Sequence, residues 1–488
     1  MDTTSRPDDA PADDATLDRV LGRWDVMAVA FGAMIGFGWI VLTGDFLQSA
    51  GTFGAALAFI IGGAIVLLIA LTYAELVAAM PSVGGAHNYA LRAMGSRAAF
   101  FTSWSLVLGY VSVVAFEAVA IPQTVLYLFP DMLVGYMYSV AGYEVYASWV
   151  AVGVVTAVIM TLLNYVGVKQ AAVFQSVAVG FLLLVGAVLL TGSFVGGSTQ
   201  NMQPLFIGGV AGLTSVLVAT PFLFVGFDVV PQSAEEINLE YRKIGQVLLV
   251  AVFMAIFWYV MIMVTIGSSL PVAILAESEL AAADGMVALW SSPMMGTVLV
   301  VGGIAGLLTS WNGFLIGASR LIYAMARTGM LPAWFAKLHP EFKTPANAII
   351  FIGVLSLIAP FFGRKTLVWL VDAGGLAIIA AWLMVAVSFV VLRRREPEME
   401  RPFRAPGGMA VGVAAVVLSA GMALLFMPGM PAALVWPYEW VIVGVWAIIG
   451  LFFVRRLVKV TPGPNAESEL IERMLGSHAT SEHALDDH

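Results

Sequence analysis

Gly32-Ala33-Met34-Ile35-Gly36-Phe37-Gly38 places three glycines in seven positions inside an apolar run from about Trp24 to Ala50. The run is long enough to cross a bilayer as a helix, which takes roughly 20 residues. Glycine adds backbone freedom and weakens a helix there. Backbone N–H and C=O groups released inside lipid persist only where they line a cavity or are buried in protein. An interrupted helix at that depth is a candidate ligand site. Gly32 and Gly36 equally fit a small-residue packing face of the GxxxG kind. A second interruption is predicted in Val218-Ala219-Thr220-Pro221-Phe222-Leu223-Phe224-Val225-Gly226-Phe227-Asp228, which holds Pro221, Gly226 and an acidic residue.

Each broken end would present a distinct polarity. If both termini are cytoplasmic, the outer half of the first segment begins near Gly38, with free N–H groups and a positive dipole end suited to a carboxylate. Its inner half ends near Gly32–Ile35 and offers carbonyl oxygens to a cation. The second segment ends near Phe222–Val225 with carbonyls also directed inward. A zwitterion matches both polarities. Phe222, Phe224 and Phe227 are candidates to cap the site, or to pack as ordinary core aromatics. Asp228 reads either as a helix-end cap or as a proton or amine partner. Glu117 lies well inside an apolar segment, so it must be protonated, paired or facing water. Glu75 falls near the cytoplasmic end of its segment, and Asp45 two turns beyond the first break. Thr309 and Ser310 could join carbonyls near Ala33 in an oxygen-lined Na⁺ site, or bond back to their own helix.

The elements that must hold these residues follow from composition. The chain is 60% hydrophobic and 11% charged, with a mean hydropathy of +0.93. Long apolar runs between short polar loops indicate an all-α polytopic membrane protein. Segments are predicted near 24–50, 53–80, 98–128, 146–168, 170–192, 208–234, 245–269, 292–326, 345–362, 366–392, 409–428 and 435–456. Of the 23 lysines and arginines, all but Arg364 and Lys365 fall on the N-terminal side of these twelve spans, which makes both termini cytoplasmic. The expected organisation is an acidic tail at 1–23, a unit at 24–192, an inverted second unit at 208–392, a further pair at 409–456, and an acidic tail at 457–488. Both tails read as solvated and disordered. With five crossings per unit, the two interrupted segments run antiparallel and face each other at mid-depth. No cleavable signal is visible, and zero cysteines exclude disulfides and thiolate metal sites. No Gly-x-x-x-x-Gly-Lys-Ser/Thr loop is present to support an ATP-driven pump. None of the five histidines falls in mid-span, which argues against a membrane-embedded metalloenzyme.

Four stretches in order resemble the amino acid–polyamine–organocation superfamily of permeases: the glycine run leading into Gly44 and Gly51; Thr72-Tyr73-Ala74-Glu75-Leu76 with Met80-Pro81-Ser82-Val83-Gly84-Gly85-Ala86-His87-Asn88-Tyr89; Gly226-Phe227-Asp228 with Ala234-Glu235-Glu236; and Ser310-Trp311-Asn312 through Ala318-Ser319-Arg320 to Met325-Ala326-Arg327-Thr328-Gly329-Met330-Leu331-Pro332. The resemblance implies a LeuT-like five-plus-five inverted repeat with broken spans 1 and 6, followed by spans 11 and 12. It also implies alternating access and amino acids or related amines as substrates. By the same resemblance, backbone at Gly36, Phe37 and Gly38 holds a substrate carboxylate, and the break at Phe222 to Gly226 holds the amine.

Three positions depart from the family pattern. Phe37 stands where a small hydroxyl residue is usual, so an amine lacking a carboxylate is an alternative substrate. No lysine follows Lys169 into the fifth span, and Thr328 replaces an acidic residue before Gly329. The expected assignments are therefore a substrate site of Ile35, Gly36, Phe37, Gly38, Glu117, Phe222, Phe224, Val225, Gly226 and Asp228, and an ion-coupling site of Ala33, Thr309 and Ser310. Expected partners are a small solute and the lipid bilayer of the inner membrane, with no nucleic acid. No cofactor is expected beyond Na⁺ or H⁺ as a coupling ion. Uncoupled exchange and a non-transporting sensor of the same fold stay open, and sequence leaves the oligomeric state undetermined.

Overall fold

A computed structural model describes residues 17–36, 38–430 and 432–483, and side chains as far as Met474. Phe37 and the acidic positions among residues 1–16 lie outside the described residues. The first apolar segment does not form one helix. Helix α1 (Arg23–Met34) starts where the Gly22 N–H donates to the Asp25 carboxylate at 3.0 Å. It stops at Ile35, whose φ of −106° and ψ of 65° are not helical. Helical bonding resumes in α2 (Gly38–Val41) and continues through Leu42 into α3 (Thr43–Ala50).

Two long helices follow, α4 (Thr52–Ala79) and α6 (Ser96–Leu128), joined by the short amphipathic α5 (Gly85–Met94). Strands β1 (Tyr136–Val140) and β2 (Tyr143–Tyr146) pair as an antiparallel hairpin before α7 (Ala147–Val166) and α8 (Val168–Gly196). Helix α9 (Gly209–Phe224) ends at a second interruption, followed by α10 (Val229–Gln232). Then come α11 (Tyr241–Gly267), α12 (Val272–Glu277), α13 (Ala281–Trp290) and α14 (Pro293–Arg327). The rest comprises α15 (Ala346–Ile358), α16 (Thr366–Arg395), α17 (Met409–Leu424), α18 (Tyr438–Val454) and α19 (Ala466–His483).

Among the described residues, eight stretches are long and apolar enough to cross a membrane: α4, α6, α7, α8, α9 through α10, α11, α14 and α16. The apolar windows of α6 and α14 are 89% and 78% buried, against 33% for α7 and α8. The first two are therefore the central helices, and the second two lie at the rim. Glu75 in α4, near its end at Ala79, is buried and ion-paired with Arg393 and Arg401, and it accepts the Ala405 N–H at 2.7 Å. Such pairing offsets the cost of removing a carboxylate from water.

The architecture is helical, with one short β1–β2 hairpin between α6 and α7 that turns at Ala141 and Gly142, both with positive φ. Two expectations about the tails need correction. Residues 457–488, read as a disordered tail, contain α19, which buries Ala466, Leu470 and Met474. That i, i+4, i+8 spacing lays three apolar side chains along one helix face. The last part of the 1–23 tail is also docked. Leu17 and Leu21 are buried, and the N–H groups of Val20 and Leu21 both reach the Glu236 carbonyl. Leu17 packs with Tyr323 and Ala324, while Met474 lies against Gly329, so both described ends of the chain meet the same end of α14.

Candidate functional site

The two interruptions touch. At the second, Val225 is extended and Gly226 has a φ of +130°, a backbone state that side chains other than glycine rarely adopt. A Cβ built on Gly226 would lie 2.6 Å from the carbonyl carbon of Ala33 and 2.8 Å from the N of Met34. Only a residue without a side chain lets the two unwound backbones approach this closely.

Around this crossing lies a small cavity of about 20 Å³, bordered by Ala33, Gly36, Gly38, Phe222, Val225 and Ser310 among others. A volume near one probe sphere holds about one water molecule, so in this conformation the chain is closed around it. Glu117, from the middle of α6, also lines the cavity and is 1% exposed. Its Oε1 and the Ser310 hydroxyl converge on Gly36, at 2.6 and 2.9 Å from where a Cβ on Gly36 would stand. Ser310 is the hydrogen-bonding neighbour of Glu117, while the carboxylate Oε2 has no hydrogen-bond partner among the described residues. A buried carboxylate oxygen without a donor is costly unless a proton or a ligand satisfies it.

The remaining described candidates lie beside the cavity and do not line it. Ile35 is fully buried, and its carbonyl faces Gly306 of α14. Phe224 packs edge-on against Phe59 and Tyr259. Asp228 supports the break: its Oδ1 accepts the Gly226 N–H at 3.0 Å and its Oδ2 accepts the Trp382 indole N–H at 3.1 Å. Thr309 donates to the carbonyl of Gly306 in its own helix at 2.8 Å and stands 3.3 Å from the Gly32 carbonyl. The back-bond is the shorter contact, so the hydroxyl is largely committed to α14. Phe37 falls among the residues not described.

Residues 21–453 match the amino acid permease family. The chain belongs to that family, within the amino acid–polyamine–organocation superfamily. It is 28% identical to a branched-chain amino acid permease of Bacillus subtilis over 459 residues, covering 91% of this chain and 93% of that one. It is 28% identical to a methylthioribose transporter of the same organism, covering 89% and 92% of the two chains. An aspartate–proton symporter, also of Bacillus subtilis, is 26% identical over 82% and 78% of the chains. These relatives are transporters and not enzymes, and this permease is a multi-pass membrane protein of that kind.

The structure of this permease adds residues that the sequence did not single out. Tyr259 of α11 also lines the cavity, and its hydroxyl lies 3.0 Å from the Met34 carbonyl and 3.1 Å from the Leu223 carbonyl. One phenolic proton is thus shared by the last turns of α1 and α9. In sequence Tyr259 is one aromatic in Phe257-Trp258-Tyr259 of an apolar run, which carries no charge or glycine signal. A second missed feature is an amide relay. Asn164 donates to Asn312 at 2.8 Å, Asn312 donates to Gln175 at 2.8 Å, and Gln175 donates to the carbonyls of Ala28 and Thr309 at 3.1 Å. The relay ties α7, α14 and α8 to α1 without any charged side chain.

Where both described ends of the chain meet α14, a buried ion pair ties the segment after α10 to that helix. Arg320 and Glu236, each 1% exposed, form a two-pronged ion pair with both contacts at 2.8 Å. Chain entry and the segment after α10 are joined by main-chain bonds, Leu21 N–H to the Glu236 carbonyl at 2.9 Å and Asn238 N–H to the Leu21 carbonyl at 2.9 Å. Gly85 at the start of α5 packs directly on the Pro231 backbone.

Proposed function

We propose that this permease is a secondary transporter that binds an amino acid or small amine between the breaks at Ile35–Gly36 and Val225–Asp228 and moves it by alternating access. The observation that carries the reading is the contact of Gly226 backbone with Ala33 and Met34 beside a cavity holding Glu117 and Ser310. Two helices broken at facing positions leave main-chain dipoles free for a ligand at mid-membrane. The named activities of the relatives, branched-chain amino acid, methylthioribose and aspartate transport, favour a small polar solute.

Twelve spans, with residues 24–192 and 208–392 as inverted repeats, are part of the same proposal. Helix packing supports it. Exchanging each span for the one five places on converts the α6–α16 pairing into α14–α8, and α1–α11 into α9–α4, and all four pairings occur. Charge asymmetry supports cytoplasmic termini and an inner-membrane location.

Proton coupling is favoured over Na⁺ coupling. Glu117 offers an unpartnered carboxylate oxygen in the cavity, whereas Thr309 spends its hydroxyl on α14. A second reading, a cationic amine without a carboxylate, draws on the same group, since an ionised Glu117 attracts an ammonium and repels a substrate carboxylate. Thermal-shift screening of purified protein against amino acids and amines, followed by radiolabel counterflow in proteoliposomes, tests both. Counterflow of a stabilising ligand is expected; binding without counterflow would identify a sensor. Stabilisation confined to carboxylate-bearing ligands would end the amine reading.

A further inference from the structure

The outer surface carries an apolar groove of about 500 Å³ between α6, α16 and α18, remote from the central cavity. Its walls include Phe101, Trp104, Leu108, Leu376, Trp446 and Leu451. The volume is within the usual range for small-molecule sites, about 300–1,000 Å³. Trp104 and Trp446 stack at 4.3 Å, and each indole N–H donates to the other's carbonyl, at 2.9 and 2.8 Å. Their polar atoms are thereby satisfied, and the groove is left with apolar ring faces.

One end of this groove is basic. Arg97 lies one turn before Phe101 on α6, and Arg455 directly follows the groove residue Val454 at the end of α18. The Ser96 hydroxyl donates to the Val458 carbonyl at 2.7 Å, which brings the start of α6 against the segment after α18. Arg97, Arg455, Arg456 and Lys459 are therefore neighbours, and all four are exposed. No described carboxylate pairs with any of them. The Arg456 guanidinium lies 4.2 Å above the Phe452 ring. Topology alone accounts for basic residues in loops, but it does not account for four unpaired cations at the mouth of a deep apolar groove. Basic pockets beside membrane helices suit anionic lipid headgroups.

We infer that the groove and its basic rim form a binding site for an anionic phospholipid, with an acyl chain along the α6–α18 groove and the phosphate on Arg97, Arg455, Arg456 and Lys459. The lipid would bind laterally, outside the transport route, and would brace α18 against the central helix α6.

The test is native mass spectrometry of the full chain released from nanodiscs of phosphatidylcholine mixed equally with phosphatidylglycerol, which does not depend on sidedness. Wild type should retain phosphatidylglycerol preferentially. Each charge removed should weaken that preference by about fivefold, the equivalent of roughly 1 kcal/mol per basic residue beside an anionic surface. The variant R97Q/R455Q/R456Q/K459Q should lose the preference. Ala447→Trp, which fills the exposed groove and keeps every charge, should lower total lipid retention. Arg242→Gln with Lys243→Gln, at the start of α11, should leave the preference intact and serves as the charge control. Equal retention of the two lipids by wild type would overturn the inference. So would full retention by Ala447→Trp, equal loss in the α11 control, or a dimer that buries the groove in place of lipid.

Discussion

The hydroxyl of Tyr259 lies 3.0 Å from the carbonyl oxygen of Met34, the last residue of α1. The same hydroxyl is 3.1 Å from the Leu223 carbonyl near the end of α9. Since a phenol has one proton, the two broken helices share it, and separating them leaves one carbonyl without a donor. Tyr259→Phe keeps the ring and its stacking on Phe59 at 4.8 Å while deleting the shared bond. The expected cost is about 1 kcal/mol of stability, seen as a lower melting temperature, together with an altered uptake rate. Unchanged melting and uptake would remove Tyr259 from the account.

Gly226 is the position least able to change. Any side chain there meets the main chain of Ala33, and the φ of +130° adds backbone strain of about 1–3 kcal/mol. Gly226→Ala should therefore abolish uptake while the protein still inserts in the membrane. Gly36→Val should do the same by displacing Glu117 and Ser310. Surface biotinylation separates insertion from transport, and wild-type uptake by either variant would contradict the site.

Glu117 is the proposed proton carrier. Glu117→Gln keeps the shape and a hydrogen bond to Ser310 but removes the titrating group. Uptake driven by an imposed pH gradient should fall to the level without a gradient, while counterflow at equal pH persists. If gradient-driven accumulation survives, the proton is carried elsewhere.

His87, in α5 outside the spans, links two of the motif stretches. Its Nδ1 is 3.0 Å from the Ser103 hydroxyl and its Nε2 is 3.2 Å from the Thr328 hydroxyl. Both hydroxyls also donate within their own helices, Ser103 to the Ala99 carbonyl and Thr328 to the Ala324 and Met325 carbonyls, so the His87 ring is held between two hydroxyls anchored on α6 and at the end of α14. Burial, and secondarily the charge of Arg327, lowers the His87 pKa from 6.5 to about 4. Because the unfolded chain binds the proton first, this contribution to stability is complete above pH 6.5 and is lost as pH falls toward 4. The loss reaches about 3 kcal/mol. The melting temperature of wild type should drop across that window, and that of His87→Gln should drop less. Parallel pH profiles would contradict the assignment.

The sequence revealed the interruptions because glycine acts locally, and breaks after Met34 beside Gly36 and after Phe224 at Gly226 need no tertiary information, whereas Pro221 is accommodated inside α9. Glu117 stood out because a lone carboxylate in an apolar run has few explanations. Tyr259, Asn164, Asn312 and Gln175 did not, since neutral polar groups cost little in a sequence pattern and acquire meaning only through partners 36 to 225 residues away. Asp228 was ambiguous for the same reason, and its bonds to Gly226 and Trp382 favour the supporting role. The tail helix α19 was obscured by its many charges, although Ala466, Leu470 and Met474 carried the helical spacing.

The central claim, a solute held between the two breaks, can be tested directly because the chain has no cysteine. Ser310→Cys introduces one thiol at the cavity beside Gly36 and Glu117. Its alkylation rate in proteoliposomes should fall severalfold when a transported ligand is added, and it should not change with solutes that do not stabilise the protein. An alkylation rate unaffected by a saturating transported ligand would contradict the claim.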